Sequence, residues 1–116
     1  MIEKKIDEFL LCLEEQRYYD AHEALEEVWF PRRFEGSDEM NLLKAFINAS
    51  VSFELYKRGK EMQSKKVWKN YLKHRGKLFK VESPHKNRYY QLSRHLETIN
   101  NKKNSIIRLE LKKERL

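Results

Sequence analysis

The fold of this chain is decided by the stretch LLKAFINASVSFELY, residues 42–56. Its large apolar side chains do not follow a single stripe. They lie around more than one face of a helix, at Leu42, Leu43, Phe46, Ile47, Val51, Phe53, Leu55 and Tyr56. A helix that is apolar on several faces has to be buried. We therefore expect the central, mostly buried element of an all-α fold to be a helix that is capped by Ser37 or Asp38 and runs to about Arg58. Gly59 is expected to be the left-handed residue that follows it.

Amphipathic helices are predicted on both sides of this centre. Apolar residues recur at steps of three and four in residues 2–16, 60–80 and 83–99, the pattern of helices with one buried face. The asparagine-rich stretch 100–104 is expected to break the last of these helices. Residues 104–116 would then form a separate docking helix or a partner-binding tail.

The remaining helix, the second in the chain, carries the sequence YYDAHEALEEVW in residues 18–29, and the domain is organised around it. We expect Asp20 to cap its first turn, with Glu23 completing a capping box, and Pro31 to end it. The prediction is thus a compact bundle of about five helices with a buried third helix.

Length and composition fit a single domain over residues 1–116, because 40% apolar residues are enough for one core but not for two. The single cysteine, Cys12, lies in an apolar run and is expected to be buried, with no disulfide framework. No apolar run approaches the roughly 18 residues that a bilayer span needs. We expect a soluble, cytoplasmic protein with no membrane partner.

One constellation of the chain is chemically suggestive. In the second helix His22, Glu26 and Trp29 lie at i, i+4 and i+7, which places an imidazole next to a carboxylate on one stripe. Such a pair can converge on a divalent metal. The predicted site uses His22 and Glu26 as metal ligands, with Glu23 and Asn48 completing a site for a metal or a small polar ligand.

A second interpretation needs no ligand. His22 can donate a hydrogen bond to a neighbouring carboxylate, since buried polar groups need partners, while Glu23 and Glu27 cap the helix or face solvent. The spacing resembles the zinc-protease motif H-E-x-x-H, but Glu26 occupies the position of the second histidine, which disfavours that activity. The sequence fixes neither a reaction nor a cofactor.

The charge of the chain is divided along its length. Residues 1–40 contain 12 acidic and five basic residues, whereas residues 41–116 contain six acidic and 20 basic residues. Between positions 57 and 80, ten basic residues stand against Glu61 alone. This indicates a non-catalytic interaction module that attracts nucleic acid nonspecifically or binds an acidic partner, although lysines also serve solubility. Ile106, Ile107, Leu109 and Leu111 indicate, in addition, a contact between copies in a homo-oligomer.

The order of these motifs resembles the family catalogued as domain of unknown function 309. The resemblance covers about residues 15–75 and is carried by Ala21, His22, Glu23, Glu26 and Trp29, which match an A-H-E-x-x-E-x-x-W helix. The family's next helix contains a Q-G-L-I-Q-like stretch, and here Lys44-Ala45 and Asn48 replace its polar positions. The resemblance implies a compact all-α fold and no established activity.

Overall fold

The computed structural model describes the backbone of residues 2–114 and the side chains of residues 2–112. Five α-helices follow one another along the described chain, and short 3-10 helices at Phe30–Arg32 and Arg75–Phe79 follow the second and fourth of them. The helices are α1 (Ile2–Glu14), α2 (Tyr18–Trp29), α3 (Asp38–Lys57), α4 (Glu61–His74) and α5 (Lys86–Glu114). The predicted all-α bundle of five helices is confirmed.

Helix α3 is the centre of this bundle. Ten of its 20 residues are buried, and they lie on several faces, as the apolar stretch predicted. Phe46 packs between the rings of Tyr71 and Tyr89, with centroid distances of 6.4 and 6.0 Å. These two tyrosines belong to α4 and α5, so one phenylalanine of α3 joins both later helices to the core.

Both ends of α3 follow from local sequence. The Oγ of Ser37 accepts a hydrogen bond from the backbone N–H of Met40 at 3.2 Å, which confirms the predicted cap. At the other end Gly59 has a φ of +80°, and the N–H of Lys60 bonds to the carbonyl of Leu55. This is the Schellman arrangement, which needs a left-handed residue after the helix.

The predicted start of α2 is wrong. The helix begins at Tyr18, two residues before Asp20, and no side chain caps it. The cause lies at the end of α1, where Gln16 adopts a φ of +59° and the N–H of Arg17 bonds to the carbonyl of Cys12. This second Schellman turn leads directly into α2, and the carboxylate of Asp20 accepts from the Arg17 side chain instead of capping the backbone.

The predicted break at residues 100–104 is also wrong, because α5 runs without interruption from Lys86 to Glu114. Asparagine lowers helix stability by only a few tenths of a kcal/mol compared with better helix formers, and the stretch contains no glycine or proline. Tertiary contacts also hold this stretch in the helix, since Asn100 is buried and the Lys103 ammonium lies 5.1 Å from the centre of the Tyr56 ring.

The part of α5 beyond residue 104 leaves Ile106, Leu109 and Leu111 exposed, and residues 115–116 lie outside the described part. The homo-oligomer remains a prediction.

Two tyrosine hydroxyls connect the core to partly buried carboxylates. Tyr71 of α4 donates to Glu97 of α5 at 2.8 Å and also contacts the hydroxyl of Ser93. Tyr89 of α5 donates to Glu39 of α3 at 2.6 Å. Burial raises the pKa of both phenols well above the ordinary value, so both remain protonated donors at neutral pH.

We expect Tyr71→Phe to lower the free energy of unfolding by about 1–3 kcal/mol, because Ser93 and Glu97 lose a buried partner. Urea denaturation would measure this loss. Tyr90→Phe is the matched control, since Tyr90 is only partly buried and its hydroxyl makes no hydrogen bond among the described residues. Equal stability of the two variants would contradict the importance of the Tyr71 hydroxyl.

Candidate functional site

The predicted polar stripe of α2 forms a network inside one helix. The Nε2 atom of His22 lies 3.0 Å from the Glu26 carboxylate, and its Nδ1 atom lies 2.7 Å from the backbone carbonyl of Tyr19. The side chain of His22 is 18% exposed and that of Glu26 is 43% exposed. The imidazole is therefore enclosed at the edge of the core, while its carboxylate partner faces the solvent.

Both neighbours of the His22 ring are hydrogen-bond acceptors. A neutral imidazole carries one N–H and can donate to only one of them, whereas the protonated ring donates to both. A metal ion held by both predicted ligands would need the lone pair of Nε2, the ring nitrogen that faces Glu26, while Nδ1 donates its proton to the Tyr19 carbonyl. The observed contacts need no ligand: the imidazole bonds to a backbone carbonyl of its own helix and lies beside a carboxylate.

The other predicted site residues are not joined to this pair. Glu23 is exposed, and Asn48 makes no hydrogen bond to His22, Glu23 or Glu26 among the described side chains. Glu27, on the neighbouring row, pairs with Lys5 of α1. Across residues 2–112, no group of three or more His, Cys, Asp or Glu side chains is arranged to hold a metal ion. The metal and ligand roles of His22, Glu23, Glu26 and Asn48 remain predictions.

The His–Glu pair can be tested by His22→Ala, which we expect to lower the free energy of unfolding by about 1 kcal/mol through the loss of the hydrogen bond to the Tyr19 carbonyl and of the contact with Glu26. Thermal or urea denaturation would report it, with the exposed Glu23→Ala as a control that changes little. Elemental analysis of the purified wild-type and His22→Ala proteins separates the two interpretations. If a divalent metal is stoichiometric in the wild type and absent from the variant, His22 is a metal ligand and its role is not only structural.

A different surface, which we call the basic face, lies on the outside of α4. It consists of Lys65, Lys66, Lys69 and Lys73, all exposed. At 100° per residue these four positions fall within about a third of the helix circumference. Three other cations of the region have carboxylate partners, with Arg58 on Glu54, Arg75 on Glu97 and Lys77 on Asp38. No ion pair to the basic face occurs among the described side chains.

The basic face ends in a cluster drawn from several elements. Burial lowers the pKa of His74, and the charges of Lys73, Lys77 and Lys44 lower it further. Lys44 belongs to α3, and its ammonium lies 5.2 Å from the centre of the Trp29 ring. The sequence indicated the lysines of α4 but not Lys44, because only the packing of α3 against α4 brings it to the same surface.

The lowered pKa of His74 has a consequence for stability. The unfolded chain binds a proton at this histidine more readily than the folded chain does. The free energy of unfolding should therefore decrease as the pH falls through the ordinary value of 6.5 toward the lower folded pKa. We expect His74→Gln to make the decrease between pH 7.5 and pH 5.5 (about one unit either side of that value) shallower in urea denaturation. Identical pH slopes for the two proteins would contradict this assignment.

Two clefts flank Lys103 of α5. The larger, about 590 Å³, is an apolar groove whose lining includes Tyr18, Phe53, Ile99 and Ile106. The smaller, about 280 Å³, lies between α4 and α5 beside the basic face. Neither cleft is lined by His22, Glu26 or Asn48. Sequence patterns did not indicate the clefts, because the predicted break of α5 removed the wall that both of them share.

The chain is thus an all-α bundle with a His–Glu pair on α2 and a basic face on α4. No helix in the described part combines the length and the apolar character needed to cross a membrane. The family model for domain of unknown function 309 matches residues 6–67, more than half of the chain. The protein belongs to this family. No curated protein and no solved structure gives a significant match.

The family match begins in α1 and ends within α4. It includes the α2 motif from Ala21 to Trp29 and the buried helix α3. It does not include the end of the basic face or any part of α5. The structural features of the second half are therefore interpreted from this chain's own residues.

Proposed function

We propose that this protein is a non-catalytic interaction module whose basic face binds nucleic acid through its phosphates. The observation that carries the proposal is a set of four exposed lysines on one side of α4 that form no ion pair with any side chain of residues 2–112. A row of cations on a helix is a common way to neutralise backbone phosphates. The partner class is a polyanion, and the interaction is electrostatic rather than sequence-specific.

The arrangement of the lysines carries an energetic penalty in the free protein. Lys65, Lys69 and Lys73 follow one another at steps of four residues, and like charges at this spacing destabilise a helix by a few tenths of a kcal/mol per pair. The same helix offers a single acidic residue, Glu61, in its first turn. A bound polyanion would relieve this repulsion, so the arrangement supports a phosphate-rich partner.

The aromatic residues of α4 take different roles. Tyr71 is fully buried and cannot reach a partner. Trp68 is partly buried and stacks on Tyr71 with a centroid distance of 4.6 Å. Stable binding by the basic face therefore depends on charge in the first place, which predicts a strong dependence of affinity on salt.

The proposal is tested by the triple variant Lys65→Gln, Lys69→Gln, Lys73→Gln. Counterion release contributes about 0.7 to the slope of log K against log salt for each phosphate contact with a single strand. We expect the slope to fall by about 2 and the affinity at 0.1 M salt to fall about a hundredfold. Fluorescence anisotropy of a labelled single-stranded oligonucleotide would measure both quantities.

The matched control is the triple variant Lys4→Gln, Lys80→Gln, Lys112→Gln, which removes the same net charge at exposed positions outside α4. It should keep most of the affinity and of the salt slope. Equal losses in the two triple variants would show that only the overall charge matters. The absence of any binding at low salt would overturn the proposed function altogether.

A further inference from the structure

The smaller cleft, which we call the α4–α5 cleft, borders the basic face and is closed on its other side by the second half of α5. Its volume of about 280 Å³ lies near the lower end of the range for small-ligand pockets. Its lining combines aromatic, aliphatic, amide and cationic side chains with a single carboxylate, that of Glu61, and its other walls come chiefly from Tyr56, Trp68, Leu72, Asn100, Lys103 and Ile107.

The aromatic wall of the cleft is fixed in place. Trp68 stacks on Tyr71 at 4.6 Å and lies 5.7 Å from the ring of Phe53, so its indole belongs to a continuous aromatic cluster of the core. It is nevertheless only partly buried and lines the cleft. A rigid indole beside a solvent-accessible cleft is suited to stack on a flat ring, and such stacking tolerates any nucleobase.

The cleft also contains an unsatisfied polar group. Asn100 is 8% exposed, and its Oδ1 atom makes no hydrogen bond among the described residues. Buried acceptors of this kind normally have a partner, because leaving one unpaired is destabilising. Asn104 lines the cleft one turn further along α5. Two carboxamides offer both donors and acceptors, and so do the edges of nucleobases.

The cations of the cleft connect it to the basic face. Lys65 and Lys69 belong to the basic face and also line the cleft. Lys103 lies opposite, and its pKa is lowered by burial and then by the charge of Lys65, whereas the nearby Glu61 carboxylate acts in the opposite direction. A phosphate between Lys65 and Lys103 would turn this repulsion into two attractions. The cleft therefore favours an anion that carries a flat polar ring.

We propose that the α4–α5 cleft receives an unstacked base of a single-stranded nucleic acid whose phosphates lie on the basic face. Trp68 stacks on the base, and Asn100 bonds to its edge after a small side-chain rotation. Lys65 and Lys69 hold the adjoining phosphates. This inference rests on the proposed function, and it adds a preference for single strands that the basic face alone would not give.

The first experiment compares two labelled strands of equal length on the wild-type protein by fluorescence anisotropy. One strand carries bases, and the other is abasic with the same number of phosphates. We expect the base-containing strand to bind about tenfold more tightly, since stacking is lost from the abasic strand. Equal affinities would contradict the proposed binding of a base in the cleft but would be consistent with phosphate binding by the basic face. No binding of either strand would contradict both proposals.

The second experiment assigns the difference to the cleft. Asn100→Leu removes the buried carboxamide and keeps the branching of the side chain, and it should reduce the ratio of the affinity for the base-containing strand to that for the abasic strand. Asn101→Leu, at the exposed neighbouring position, is the control. An unchanged preference in Asn100→Leu would contradict the role of that residue in the cleft.

The third measurement reports directly on Trp68. In a Trp29→Phe background Trp68 is the only tryptophan of the chain, and stacking of a base should quench its fluorescence. The abasic strand should bind without quenching. A free mononucleotide can also be added at the same concentration as the strand. Equal quenching by the two would show that the ligand of the cleft is a small nucleotide and not a single strand. Quenching by neither strand would overturn the stacking.

Discussion

The rest of the structure depends on the burial of α3. Its apolar residues point in several directions, so no single neighbour can cover them, and each of the other helices supplies part of the cover. Phe9 and Leu13 of α1, Leu25 of α2, Tyr71 of α4 and Leu92 of α5 all belong to the same core. The hydrophobic effect that drives this burial has no directional preference, and it does not by itself fix how the covering helices are placed.

The placement is fixed by polar contacts of high sequence separation. Tyr71 and Tyr89 extend from the core to carboxylates of other helices, and Glu39 also accepts from the hydroxyl of Ser83 in the segment before α5. Glu3 of α1 binds both His85 and Arg88, which connects the first helix to the start of the last one. Such bonds are directional, so they select one register among packings of similar apolar area.

The sequence predicted those features that depend on local chemistry and on the number of apolar faces. The buried α3, the Ser37 cap and the Gly59 turn follow from residues close together in the chain. The start of α2 and the continuity of α5 did not follow. The first depends on a left-handed Gln16, a residue without the special preference of glycine, and the second on contacts of Asn100 and Lys103 with distant helices.

In the candidate sites, too, features that depend on local sequence were predicted and features that depend on the packing of distant helices were not. The i, i+4 spacing of His22 and Glu26 predicted that the two side chains are neighbours, and they lie 3.0 Å apart. Whether a third group joins them depends on how α2 packs against α3, and Asn48 forms no hydrogen bond to either. Conversely, the sequence indicated the cluster of basic residues in α4. The cleft beside them could not be predicted, because it exists only where α5 continues past residue 100.

The charge division of the sequence explains why the basic face is left without partners. Acidic residues are concentrated before residue 40, and several of them are already engaged, for example Glu3 with Arg88 and Asp38 with Lys77. Helix α4 follows this region and contains only Glu61 as an acidic residue. Exposed ion pairs add little to stability, so pairing the α4 lysines would bring the fold little benefit. Their concentration on one side is therefore not required by folding, which agrees with the proposed anionic partner.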